Sequence, residues 1–168
     1  KNNSKIEMVA EELFNFAIDR KDVADIMARL PEPSDSRRAT LEHELQILKI
    51  ISVGWSISFY LEESPLKSAL TAHFWRSVHE FSASLSQTTS LLIHQEIDFF
   101  QAVRERFDRY LGEMKKKVDA SEPAVVIGPE FAVICGDARD AHSVMAVSRM
   151  FINTVGEVKA YLEAARLR

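Results

Sequence analysis

The sequence predicts an all-α protein: an antiparallel helical bundle of about four long helices plus a broken N-terminal helix pair, in a single domain spanning residues 1–168. Three observations carry this. Glycine and proline are scarce, 5 of each, so a many-turned β architecture lacks its punctuation. Apolar residues recur at steps of three and four through most of the chain. The connections between these periodic runs are short, which forces neighbouring helices antiparallel.

The elements follow in order. Ile6, Val9, Leu13 and Phe16 or Ala17 set the first helical stripe, which "DRKDVAD" interrupts. Asp22 is a candidate cap for a short second helix with Val23, Ile26, Met27 and Leu30 on its inner face, ended by Pro31 and Pro33. "PEPSDS" reads as the clearest linker, and Asp35 or Ser36 can cap a long helix over about 36–63. Ser64-Pro65 is a start signal, a cap followed by proline at the first helical position. The helix it opens, about 65–88, carries Leu66, Leu70, Phe74, Val78, Phe81 and Leu85 and is expected to stop in "SQTTS". A third long helix, about 90–118, follows Ile93, Ile97, Phe100, Val103, Phe107, Leu111, Met114 and Val118. In "SEPAVVIGPEFAVICGD" β-branched runs flank Gly128-Pro129, and periodicity leaves a hairpin and a loop with one helical turn both open. Asp137 with Asp140 resembles a capped start for the last helix, about 138–167, lined by Val144, Val147 or Ser148, Phe151, Val155, Val158, Leu162 and Ala165.

The stretch "KIISVGWSISFYLEESP" raises the question of a membrane anchor. Only the twelve positions 50–61 are uncharged, about 18 Å of helix against roughly 30 Å of hydrocarbon. A span would bury Lys49 or the Glu62-Glu63 pair at roughly 2.5–3.5 kcal/mol each. The stretch is therefore expected inside a soluble fold, with no membrane partner. Leu41, Leu45, Leu48, Trp55 and Phe59 form one stripe, and Ile47, Ile51, Gly54, Ile57 or Ser58, and Leu61 a second about 100° away. So broad an apolar arc belongs to a central core helix, to a seam covered by a second copy, or to a ligand pocket roofed by Trp55 and Phe59. Gly54, Trp55 and Phe59 are the candidate partner-interface residues.

Composition excludes several classes. With 46% hydrophobic and 27% charged residues the chain lies outside the disordered range. A net charge of −4 and short basic clusters argue against nucleic acid. One cysteine, Cys135, rules out an intrachain disulfide and favours a reducing compartment, here the cytoplasm. The chain starts at Lys1, as a piece of a longer protein would, and "KNNSKIEMV" has no signal-type apolar run.

No cofactor or metal is expected. Glu-x-x-His, His-x-x-x-His and His-Glu-x-x-His are all missing, and so are phosphate loops, nucleophile elbows, Cys-x-x-Cys and dinucleotide fingerprints. His94 with Asp98, four apart, is the one helical pair of ligand type, and two ligands fall short of the three or four a transition metal needs. His43 and His79 join such a site only through tertiary placement. "ICGDARDAH" gathers Cys135, Asp137, Asp140 and His142 at a helix start, where a lowered thiol pKa makes Cys135 and His142 a candidate reactive pair. An ordinary helix entrance uses the same residues, Gly136 to turn and Asp137 to cap. The expected function is a non-enzymatic association protein, a homodimeric regulatory or adaptor module. The alternative is a bundle that binds a small ligand or metal, or an enzyme, with its site built from scattered His, Asp and Glu.

Overall fold

The computed structural model describes residues 2–93, 98–116 and 123–167. These form seven helices and no strand: α1 (Asn2–Ile18), α2 (Lys21–Arg29), α3 (Asp35–Tyr60), α4 (Pro65–Ile93), α5 (Phe99–Lys116), α6 (Ala124–Ile134) and α7 (Ala141–Ala164). The all-α class is as expected.

Helix α3 is the axis of the molecule. It packs against α1, α2, α4, α5 and α7, while α6 packs mainly on α7 and α1 on α4. Every residue from Glu44 to Gly54 is buried, so this helix has no solvated face over three turns. Ser52 and Ser56 tolerate this because their hydroxyls donate to the carbonyls of Leu48 (2.7 Å) and Ser52 (2.6 Å) one turn back. None of the helices is long and apolar enough to cross a membrane among the described residues.

Local signals placed several elements well. In α1, Ile6, Val9, Leu13 and Ala17 face the core, and in α2 Val23, Ile26 and Met27 do. Pro65 opens α4, and the Ser64 Oγ accepts the N–H of Lys67 at 3.1 Å. Other caps are reassigned. Asp22 does not cap α2: its carboxylate pairs with Lys49, and it is the Asp19 side chain that accepts the Lys21 N–H. At α3 the N-cap is Ser34, not Asp35 or Ser36. At α7 Asp140 accepts the N–H of Ser143 at 3.1 Å, and Asp137 only bends the preceding turn onto the N–H of Arg139.

Two boundaries moved further. Helix α4 runs through "SQTTS" because Ser and Thr are only mildly unfavourable inside helices, and the Thr88 hydroxyl donates back to the Ser84 carbonyl. Helix α5 consequently begins nine residues later than the expected 90, at Phe99, with Asp98 capping it through the N–H of Gln101 (2.9 Å). This rotates the buried stripe: Phe99, Val103 and Tyr110 are its core residues, with Phe107 and Met114 beside them. Ile97 and Val118 lie outside the described residues.

The segment left open between hairpin and loop is the helix α6, with Pro129 inside it. Packing overrides the roughly 3 kcal/mol that an internal proline costs. Ala124, Ile127 and Phe131 join the core, and Gly128 lets α7 approach so closely that a Cβ there would lie 2.7 Å from the Val144 carbonyl oxygen. The helix ends in a Schellman turn: Gly136 adopts φ +85°, its N–H reaches Val133 O, and Asp137 N–H reaches Ala132 O.

Candidate functional site

Charged side chains that local patterns mark as solvated are drawn inward around α3. Glu44 is 4% exposed, and Arg106 of α5 grips it with two parallel bonds, Nε to Oε2 at 3.0 Å and Nη2 to Oε1 at 2.9 Å. This fork geometry is the strong form of the carboxylate pair. The Glu44 bond raises the Arg106 pKa further. One turn along α5, Tyr110 is 1% exposed, and its hydroxyl has no partner among the described residues. Burial, then the neighbouring Glu44 charge, pushes its pKa well up.

The same side of α3 holds the α6–α7 turn. Arg37 donates from Nη2 to Asp140 Oδ2 at 2.7 Å and from Nη1 to the Cys135 carbonyl at 3.1 Å. Asp140 also accepts the Ser143 hydroxyl at 2.5 Å. Burial opposes its charge, but the Ser143 and Arg37 bonds prevail and hold its pKa below the usual range. Each charge here has its partner, so the cluster acts as a clamp that fixes α5 and the α6–α7 turn to α3.

On the opposite flank Lys49 is fully buried. Its Nζ bonds Asp22 Oδ2 at 2.5 Å and lies 4.2 Å from the centre of the Phe16 ring. Lys49, which bounds the uncharged run in the sequence, is itself a core residue of α3. The lysine stem completes the core and its ammonium ties α1 and α2 to α3.

The sequence candidates separate. Gly54 is buried, and a Cβ on it would meet Trp75 of the same chain, so it is not a surface position as an interface residue must be. Trp55 is half-buried, and Phe59 is 63% exposed. Their rings stack at 4.7 Å and 16°, and Trp55 also meets Phe151 at 5.6 Å while Phe59 meets the edge of Tyr60 at 5.0 Å. The end of α3 thus carries three aromatic rings, which Phe151 of α7 joins, with the Phe59 ring exposed to water.

His94 lies outside the described residues. Asp98 is the α5 cap, not a mid-helix ligand on a shared face. His43 and His79 each pack edge-on against a phenylalanine, Phe99 at 5.5 Å and Phe100 at 4.8 Å. Among the described residues no three His, Cys, Asp or Glu side chains converge as metal ligands do. Cys135 closes the C-terminus of α6 and does not open a helix, and burial pushes its pKa up to about 12. Neither its position nor its environment activates the Cys135 thiol, and His142 is exposed on the first turn of α7. The buried pairs Glu44–Arg106 and Lys49–Asp22 were not found from the sequence, since their partners lie 62 and 27 positions apart.

No family model, curated protein or solved structure matches the chain.

Proposed function

We propose that the protein works by association, as a homodimeric regulatory or adaptor module in the cytoplasm with no catalytic chemistry of its own. The observation that carries this is Phe59: a phenylalanine 63% exposed yet stacked on Trp55, at the end of the most buried helix in the chain. Burying such a ring is worth about 1.5–3 kcal/mol, and stacking on Trp55 holds it in place before a partner arrives. Rigid aromatic residues of this kind anchor interfaces. A two-fold arrangement sets Phe59 against its own symmetry mate, so one surface serves both copies. Tyr60, under the Lys159 ammonium at 5.6 Å, extends the same surface.

Sedimentation velocity across micromolar to submillimolar concentrations tests the proposal. A monomer–dimer equilibrium is expected, abolished in Phe59→Ser with the circular dichroism spectrum unchanged. A monomer throughout the range, or a dimer that Phe59→Ser leaves intact, overturns it.

A further inference from the structure

Helices α1 and α7 both pack on α3, and between them lies a pocket of about 200 Å³. Buried Leu13 and Val158 belong to its wall, with the half-buried rings of Phe16 and Tyr161. Glu12 and Glu157, both exposed, complete the lining, one from each helix. Each glutamate precedes its ring by four residues, one turn along the same helix face, so the pairs Glu12–Phe16 and Glu157–Tyr161 oppose each other across the gap. The Tyr161 hydroxyl spans that gap and donates to Glu12 Oε2. Burial, then this bond, raises the Tyr161 pKa, so the phenol keeps its proton and stays the donor. A carboxylate accepts several bonds, and Glu12 retains acceptor capacity beyond this one.

Two carboxylates thus meet at an apolar and aromatic pocket without a counter-charge. Asp22, Glu44, Glu130 and Asp140 each hold a lysine or an arginine, whereas among the described residues Glu12 and Glu157 hold neither. Lys49 lies over the Phe16 ring, but its charge is matched by Asp22. Arg29 and Arg149 share a neighbouring cleft with Glu157, and neither comes within ion-pair distance of it. An apolar pocket with a few convergent polar groups is the general form of a small-molecule site, and unpaired carboxylates beside aromatic rings select a cation. A cavity of about 150 Å³ takes one benzene ring, so this one has room for a ring and a short chain. We infer that this pocket binds a small arylalkyl ammonium ion, its ring against Leu13, Phe16 and Val158 and its N–H donors on Glu12 and Glu157. Such a ligand satisfies the carboxylates and the apolar wall together, whereas water satisfies only the first. The site is separate from the aromatic end of α3, since Lys49, over the Phe16 ring, is about 15 Å along the helix from Phe59.

Isothermal titration calorimetry at neutral pH with 2-phenylethylamine and two controls provides the test. 2-Phenylethanol keeps the ring and chain without the charge, and ethylamine keeps the charge without the ring. Phenylethylamine is expected to bind at least about tenfold more tightly than either, because only it makes charge-assisted bonds to the carboxylates while burying a ring. Glu157→Gln should narrow its preference over phenylethanol. Glu157→Lys, which places the chain's own ammonium at the pocket, should abolish phenylethylamine binding. Glu157 is exposed and has no partner among the described residues, so both variants should keep the native circular dichroism spectrum and melting curve. Absence of phenylethylamine binding to the native protein, affinity no tighter than that of either control, or binding undiminished by Glu157→Lys overturns the inference.

Discussion

Replacing Gly54 by alanine adds one methyl group at a crowded point of the bundle. That Cβ would lie 2.3 Å from Cζ2 of Trp75, 3.0 Å from Cη2 and 3.1 Å from Cε2. Carbon atoms rest about 3.5–4.0 Å apart, so the indole must retreat by more than an ångström. Trp75 is half-buried and can slide only outward, away from its edge-on contacts with Phe74 at 5.2 Å and Phe107 at 5.5 Å. Overpacking of this kind costs about 1–3 kcal/mol, against which alanine's better helix propensity returns about 0.5–1 kcal/mol. The expected net loss is about 0–2.5 kcal/mol, a fall in Tm of up to about 10 °C for a chain of this length. Thermal melts by circular dichroism at two protein concentrations should show the same fall at both, since Trp75 belongs to the same chain. In a Trp75→Leu background the cost of Gly54→Ala should shrink, the non-additivity expected of residues in contact. A rise in Tm on Gly54→Ala would refute the packing argument, and a loss that varied with protein concentration would place the contact between chains.

Three further outcomes follow from the charged clamp and its surroundings. Glu44→Gln should destabilise by about 2 kcal/mol in urea titration, because the Arg106 guanidinium loses a charged acceptor; adding Arg106→Met should recover part of the loss. Burial raises the Cys135 pKa to about 12, far above that of an exposed thiol, so Ellman's reagent should modify the native thiol far more slowly than the urea-unfolded one. Comparable rates would refute its burial. Asp140 has a folded pKa below its unfolded value of about 3.9, so the stability its charge contributes is fully present above that value and is lost as pH falls through the folded pKa. Asparagine keeps the cap, so Asp140→Asn should be less stable than the native protein at neutral pH, with the gap closing in acid; a gap unchanged down to acid pH would refute the role of the charge.

What the sequence by itself determined is whatever local physics sets. The helical class follows from apolar periodicity with little glycine or proline. The start of α4 follows from Ser64-Pro65, where a hydroxyl and a fixed φ act within three residues. The core faces of α1 and α2 follow from steps of three and four, and the exclusion of a membrane span in α3 follows from counting twelve uncharged positions. Tertiary structure decided whatever depends on distant partners. The helix α6 persists through Pro129 because Gly128 admits the backbone of α7, a contact no local propensity encodes. Phe99 and Tyr110, with Phe100 only partly buried beside them, are buried residues of α5, since its packing on α3, α4 and α6 sets which face turns inward. Lys49 and Glu44 are buried because Asp22, Phe16 and Arg106 meet them across the bundle, and Gln46 is buried with its amide nitrogen on the Ala17 carbonyl. A charged or amide side chain has the same local pattern in either environment. Its burial depends on whether the fold supplies a counter-charge or an acceptor, and that is a property of the assembled core.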